Sequence, residues 1–331
     1  MTQPDFNKNS TAEPLTSLIV RTKNRPCFLQ EALQSICRQT YPNIEIVIVN
    51  DGGEDVSGVA DSFTNQVSAI QLVQLTASLG RSGAANQGLS AANGEFIGFL
   101  DDDDLLEPNH VEELIRFAQH HAAQTVYSAT RVISVDADGN NHDITVYSTS
   151  FSASHLLYEN FIPIHSVLFR RELIADNTCF DTDFDFFEDW DFWLQLSRKT
   201  DFLHCPTITA IYRLHSHSSG VHQQANRDPY LHIYKKWLSA FTAEDFIALL
   251  EKTHQWHDDS IAALQQINYQ RLNEIGNQHS YAQQIVQQRD AQLDYAQQIV
   301  QQRDAQLAEK NSELQKLKST LMWRIYSRLA K

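Results

Sequence analysis

Residues 44–49 constrain the fold more than any other stretch of this 331-residue chain. Their sequence, IEIVIV, is a nearly continuous β-branched run. A strand with one exposed face alternates apolar and polar residues, whereas a strand buried on both faces of a parallel sheet does not. A strand-like run at 15–20 and helical spacing over 28–39 precede it, so this part of the chain predicts a strand–helix–strand unit. We therefore expect an α/β fold with a mainly parallel sheet.

Two of the predicted strands end in carboxylates. The run 44–49 leads to Asp51, and an apolar run at 96–100 leads into four consecutive aspartates at 101–104. Ligands of such sheets bind beyond the carboxyl ends of the strands. Four adjacent carboxylates suit a hard cation such as Mg²⁺ or Mn²⁺. A solvated acidic turn before a helix is the alternative for 101–104, and a simple turn former is the alternative for Asp51.

Further candidate residues lie elsewhere in the chain. A helix start rich in small residues at 79–89 carries Arg81, which could face a phosphate, although the segment lacks the Lys-Ser/Thr ending of a P-loop. A strand over 208–212 leads to Arg213 and His215, which could supply a phosphate contact and a metal ligand. Most lone histidines do neither.

A second acidic cluster, at residues 180–193, interleaves carboxylates with large aromatic residues. It predicts a half-buried helix whose N-terminus carries Glu188 and Asp189. A carboxylate beside aromatic surface is partly desolvated, which raises its basicity and suits a general base. Acids that merely cap the helix N-terminus are the alternative.

Composition excludes some partners. The net charge of −15 argues against nucleic acid, because phosphate backbones require clustered Lys and Arg. The four cysteines show neither metal-type spacing nor the density of a disulfide framework, which favours a reduced, cytoplasmic protein. No apolar run approaches 18 residues, so no membrane span is predicted. Residues 1–13 are polar and read as a disordered leader.

The C-terminal third changes character. We expect a helical extension over 231–275 and a coiled-coil-like helix over 277–331. Residues 281–294 and 295–308 are near-identical copies, and a 14-residue repeat equals two heptads. One apolar seam recurs every seven residues: Val286, Leu293, Val300, Leu307, Leu314 and Leu321. The positions three residues further on mostly lack the apolar side chains that would complete a coiled-coil seam. A weak or mixed oligomer is therefore as compatible with the pattern as a firm homodimer.

The last residues, 316–331, combine five basic groups and no acid with several apolar side chains. Such a segment can lie on an anionic membrane surface, which would place the protein peripherally at the inner face of the plasma membrane. A helix end that docks on protein, or frays, is equally compatible with it.

Four motifs together resemble the family 2 glycosyltransferases of GT-A fold. In order they are LIVRTKNR at 18–25, EIVIVNDGG at 45–53, AANQGL at 84–89 and GEFIGFLDDDD at 94–104. The resemblance extends over roughly residues 14–225, where EDWD at 188–191 looks like the later acidic motif of the family. It implies a GT-A domain over 14–230, a nucleotide-diphosphate-sugar donor of UDP type, and transfer with inversion.

The resemblance also implies roles on the donor side. Thr22 and Asp51 would contact the base and ribose, and Asp101 the ribose. Arg213 would approach the diphosphate. Position 85 is Ala where the family often has Arg, which leaves Arg81 as the basic residue that could replace that contact.

Metal and acceptor roles follow from the same resemblance. Asp103 would bind the Mn²⁺ or Mg²⁺ that bridges the diphosphate, with His215 approaching the same ion. Asp189 would take the proton of the acceptor hydroxyl, and Glu188 and Asp191 would lie on the acceptor side.

The expected acceptor is a glycan or glycolipid of a bacterial surface polysaccharide. Two other functions are alternatives to transfer. A sugar-phosphate nucleotidyltransferase would require a glycine-rich basic loop after the first strand, and residues 21–26 contain no glycine. The second alternative is a non-catalytic scaffold that binds sugar nucleotides and assembles through the coiled coil.

Overall fold

The computed structural model describes residues 13–136, 140–176, 178–184, 186–214 and 228–329, without the side chains of 256 and 320–329. His215 and nearly all of the predicted leader therefore lie outside the described residues. The chain divides into two compact units, 1–251 and 252–331.

The elements are, in chain order, β1 (Thr16–Thr22), α1 (Pro26–Cys37), β2 (Ile44–Asn50), α2 (Ser57–Asp61), β3 (Ala69–Gln74), α3 (Gly80–Ala91), β4 (Phe96–Asp101), β5 (Leu105–Leu106), α4 (His110–His121), β6 (Thr125–Val135), β7 (Asn141–Tyr147), α5 (Ala153–Tyr158), β8 (Val167–Arg170), α6 (Glu188–Ser197), β9 (Phe202–Leu214), α7 (Asp228–Trp237) and α8 (Ala243–Leu329).

Within the described residues, nine strands form one sheet in the order β3-β2-β1-β4-β8-β6-β9-β5, with β7 on β6. The first four strands are mutually parallel. Strand β8 is antiparallel to both β4 and β6, and β6 pairs in parallel with β9. This mixed, mainly parallel sheet confirms the predicted fold class.

The run that predicted burial on both faces is divided between two cores. In β2, Ile46 and Ile48 pack into the core that contains α1 and α4, while Val47 and Val49 pack into the core that contains α3 and α6. Successive side chains of a strand point to opposite faces. A strand with helices on both faces therefore carries apolar residues on both of its faces.

Two regions differ from the sequence prediction. Strand β9 begins at Phe202 rather than at 208, because it pairs along most of β6. The mixed segment before β8 contains α5, in which Leu156 and Leu157 are buried. This helix has only six residues, too few to produce a clear periodic signal.

Candidate active site

The carboxyl ends of β1, β2 and β4 lie side by side at one edge of the sheet. In the strand register, Arg21 is paired with Asp101 of β4, and Thr22 is paired with Asn50 of β2. Asp51 follows directly, and its backbone N–H donates to the Thr22 carbonyl at 2.9 Å. The two acidic strand ends predicted from the sequence therefore meet at one place.

The four aspartates lie in different environments, Asp101 at the end of β4 and the other three directly after it. Asp101 accepts hydrogen bonds from Arg21, whereas the next residue, Asp102, accepts one from Thr22 Oγ1 at 2.7 Å and pairs with Arg25 at 2.5 Å. The side chains of Asp101 and Asp103 are 17% and 21% exposed, and that of Asp102 is fully buried. Burial raises the pKa of Asp102 to about 7.

Asp104 joins the acidic run to two other elements. Its carboxylate pairs with His165 Nδ1 at 2.9 Å and accepts the backbone N–H of Arg213 at 2.9 Å. Arg213 is 7% exposed, donates to the Asp103 carbonyl at 2.5 Å and forms an ion pair with Glu31. Arg213 is therefore beside the acidic run, and its guanidinium is engaged with protein groups.

Two arginines and two carboxylates form a closed cluster beside the strand ends. Arg21 donates to Asp101 at 2.6 Å and to Glu188 at 3.1 Å. Arg81 pairs with the same two carboxylates, at 3.2 Å and 3.0 Å. Burial by itself would raise the pKa of Asp101, but the two guanidiniums outweigh it and hold that pKa well below its usual range.

The start of α3 positions Arg81. The carboxylate of Asp51 accepts hydrogen bonds from the Leu79 N–H at 2.6 Å and the Gly80 N–H at 3.2 Å, which fixes this helix terminus at the end of β2. Gly80 has φ +75°, a conformation that glycine adopts without steric cost. Ala85 is fully buried in the core, so Arg81 is the basic residue of α3 that reaches the site.

Asp189 lies in the first turn of α6, next to Glu188. Its carboxylate is half-buried and accepts hydrogen bonds from Asn160 Nδ2 at 3.0 Å and from the Trp190 N–H at 2.8 Å. Burial and the neighbouring charge of Glu188 raise the pKa of Asp189 to about 6, against the opposing charge of Arg81. A carboxylate with this pKa is ionised at neutral pH and basic enough to accept a proton.

Asp191 is separated from this cluster by its own contacts. It is fully buried and accepts hydrogen bonds from Trp237 Nε1 and Gln195 Nε2, both at 2.8 Å, and it pairs with Lys236 at 2.8 Å. These contacts seat α7 against α6.

The contributors absent from the sequence prediction include Arg21, Arg25, Asn160 and His165. Arg21 belongs to one of the four motifs, but its role depends on the pairing of β1 with β4, which local sequence does not encode. Asn160 and His165 come from the segment between α5 and β8, where the sequence shows no clear periodic pattern.

The described residues could supply part of a binding site for a divalent cation, but not a complete set of ligands. No three acidic, histidine or cysteine side chains of the described chain converge as a preformed metal site. Asp103 is partly exposed, and one of its oxygens pairs with Arg25 at 2.8 Å. Mg²⁺ is commonly held by one or two carboxylates while substrate phosphates supply further ligands, so a single accessible aspartate is compatible with a cation that binds together with a diphosphate.

Solved structures identify the class of fold. The crystal structure of S. aureus TarS 1–349 in complex with UDP-GlcNAc matches with a TM-score of 0.55 at 19% identity, over 67% of this chain and 64% of that one. The mannosyltransferase PcManGT from Pyrobaculum calidifontis, in complex with GDP-Man and Mn²⁺, matches with a TM-score of 0.53 at 21% identity, over 73% and 69% of the two chains. The fold is that of the GT-A glycosyltransferases.

Sequence comparison specifies the family. The model of glycosyl transferase family 2 matches residues 17–180, and the chain belongs to this family of glycosyltransferases. An uncharacterized glycosyltransferase of Bacillus subtilis (strain 168), YwdF, is 29% identical over 246 residues, which are 71% of this chain and 89% of YwdF.

The helices differ from membrane spans in composition. In the part of the chain that the structure describes, none combines the length and the apolar character needed to cross a bilayer.

Proposed function

We propose that this glycosyltransferase is inverting and metal-dependent, and that it moves a sugar from a UDP-type nucleotide sugar to a hydroxyl of a glycan or glycolipid. One observation carries the proposal: Arg81 pairs with Asp101 at the strand ends and with Glu188 beside Asp189. The residues assigned to the donor and the residue assigned to the acceptor therefore border one site.

On the donor side, we assign nucleotide contacts to Thr22, Asp51, Arg81, Asp101 and Arg213. The positions of these residues along adjoining strand ends support the assignment, because α/β sheets bind ligands there. The two similar structures are complexes with UDP-GlcNAc and with GDP-Man, which supports a sugar nucleotide of this general type.

For the metal, we assign Asp103, with His215 from outside the described residues as a second ligand. Mn²⁺ or Mg²⁺ would neutralise charge that develops on the leaving diphosphate. The Mn²⁺ in the PcManGT complex supports a divalent cation. Arg81 supplies a fixed positive charge near the same carboxylates.

For catalysis, we assign Asp189 as the general base. Its carboxylate takes the proton of the acceptor hydroxyl as the hydroxyl oxygen forms a bond to the anomeric carbon and the nucleotide diphosphate departs. A single displacement inverts that carbon and needs only one base. Asn160 and the Trp190 N–H hold the carboxylate in place, and Glu188 lies on the acceptor side.

For the acceptor, we propose a bacterial surface polysaccharide or its lipid-linked precursor. Peripheral contact of the basic tail with the inner face of the plasma membrane, a cytoplasmic location and self-association through α8 belong to the same proposal and rest on sequence. Asp191 stays a prediction as an acceptor-side residue. To contact it, an acceptor would have to displace Trp237 and Lys236 of α7 from its carboxylate.

The decisive experiment is Asp189→Asn, assayed with a panel of nucleotide sugars, Mn²⁺ and a glycan acceptor. We expect transfer to fall by at least ~100-fold, the usual contribution of a general base, while the Kd for UDP stays within about two-fold of wild type. Asp201→Asn, a change at an exposed aspartate, is the matched control and should transfer normally. Unchanged turnover in Asp189→Asn would remove this residue from the mechanism. A wild-type protein that binds UDP but transfers no sugar would favour the scaffold alternative.

A further inference from the structure

Arg21 is the more enclosed of the two arginines that join the carboxylates of the site. Its side chain is 7% exposed, and its guanidinium makes four hydrogen bonds. Nε and Nη2 donate to Asp101 Oδ1 at 3.0 and 2.6 Å, and Nη1 donates to Glu188 Oε1 at 3.1 Å and to the Arg81 carbonyl at 3.3 Å. These contacts join β1 to β4, α3 and the start of α6.

Arg81 pairs with the same carboxylates but is placed differently. Its side chain is 45% exposed, compared with 7% for Arg21. Burial opposes the charge of Arg81, but Glu188 and the aspartates of the site outweigh that effect and raise its pKa. An exposed guanidinium can exchange a carboxylate for a ligand phosphate, whereas an enclosed one with four protein contacts cannot do so without leaving buried charges unpaired.

We propose that Arg21 is a positioning residue that holds Asp101 and Glu188 at a fixed separation when Arg81 turns to the donor diphosphate. This inference rests on the proposed function. Glu188 precedes Asp189 in the first turn of α6, so fixing Glu188 also fixes the base relative to the donor. Arg21 acts through these carboxylates and touches no substrate.

The geometry of the guanidinium explains why arginine is required at position 21. Its planar fork directs donors to two carboxylates at once, while a lysine ammonium is a single point charge. Burial opposes the charged form of Arg21, but Asp101 and Glu188 outweigh it and raise the pKa. Lysine at this position would keep the charge and lose the bridge.

The test compares Arg21→Lys with Arg81→Lys, two identical changes at arginines that share both partners. For Arg21→Lys we expect kcat to fall about 10- to 100-fold, the size of effect that a displacement near ~1 Å produces, with a smaller change in the donor KM. For Arg81→Lys we expect the opposite, a donor KM that rises more than kcat falls. If the two variants share one pattern, or if Arg21→Lys keeps wild-type kcat, the inference is wrong.

A double-mutant cycle covers the case in which Arg21→Lys folds poorly. Glu188→Gln removes the same contact from its other end, and the double variant should lose less than the product of the two single losses, because interacting sites are not additive. The same four proteins are also compared by thermal unfolding, a readout that does not depend on transferase activity. Independent effects in both readouts would overturn the inference. Absence of transfer by the wild type would overturn only the proposed function, since the unfolding cycle still decides whether Arg21 and Glu188 are coupled.

Discussion

The four aspartates at the end of β4 and in the turn that follows it contact different partners. Asp101, the last residue of β4, pairs with Arg21 and Arg81, and Asp102, in the turn that follows, contacts Thr22 and Arg25. The fully buried carboxylate of Asp102 cannot be reached by a solvent-borne ligand without rearrangement. Asp101 and Asp103 are similarly exposed, but Asp101 pairs with both Arg21 and Arg81, whereas one oxygen of Asp103 pairs with Arg25, and this supports the assignment of Asp103 to the metal.

The pH dependence of transfer should report Asp189. Because the pKa of this carboxyl is raised to about 6, the base is ionised above that pH and becomes protonated below it. We therefore expect kcat/KM to fall about ten-fold per pH unit below ~6, roughly two units higher than an ordinary aspartate would give.

The measurement is kcat/KM from pH ~4.5 to ~9 at saturating Mn²⁺, a range that brackets both values. Circular dichroism at each pH serves as the control for unfolding. An acid limb near pH ~4, the ordinary value for aspartate, would contradict the burial of Asp189 described above.

At the scale of elements, the starts of two helices present the site. Helix α3 begins at Gly80, held by Asp51, and α6 begins directly after Phe187, whose φ of 64° is unusual for a residue with a side chain. A left-handed residue just before a helix turns the chain abruptly. Glu188 and Asp189 are thereby presented together in the first turn, where the helix dipole favours negative charge.

Helix α8 carries an apolar seam that is exposed in the single chain, with Val286 55% and Leu293 51% exposed. If α8 assembles the protein through this seam, assembly depends on keeping the apolar residues on one face of the helix more than on the length of the seam. Deleting residues 295–308 removes two heptads and keeps the seam on one face, whereas deleting 295–296 rotates the following stripe by about 200°, at about 3.6 residues per turn.

We expect the deletion of 295–308 to keep the wild-type oligomeric state and the deletion of 295–296 to weaken it. Light scattering coupled to gel filtration measures the mass of each protein. Masses that show the same oligomeric state for both variants would argue against assembly through this seam. Retained transferase activity in both is the control for an intact catalytic unit.

For the whole molecule, an acidic protein binds an anionic nucleotide only if local charge reverses the overall sign. The net charge is −15, yet the site contains Arg21, Arg25, Arg81 and Arg213 around the strand ends. Arg21 and Arg213 are enclosed, and a bound metal would add further positive charge. Donor affinity should therefore depend on the metal.

UDP with Mn²⁺ should stabilise the folded state by about 2.7 kcal/mol at a ligand concentration of about 100 Kd. Asp103→Asn should lose the part of this stabilisation that requires Mn²⁺ and keep the part produced by UDP alone. Thermal unfolding with and without EDTA measures both parts. Asp143→Asn, at an exposed position of β7, is the matched control, and an identical Mn²⁺ effect in both variants would exclude Asp103 as a ligand.

The amino-acid sequence was sufficient for the fold class and for several of the residues that meet at the candidate site. A continuous apolar run indicates a strand buried on both faces of a parallel sheet. Polar residues directly after such a run lie at the carboxyl edge, where these sheets bind ligands. Asp51 and Asp101 were predicted at this edge for that reason, whereas Arg81 was a candidate from a helix start rich in small residues and Glu188 from an acidic, aromatic cluster.

Tertiary structure decided what these residues contact. The bridge from Arg21 to Asp101 and Glu188 spans 80 and 167 residues of chain, and the enclosure of Asp191 depends on α7. Local sequence records which face of an element is apolar, but the partner of a buried charge is set by strand order and register, which arise only when distant elements pack together.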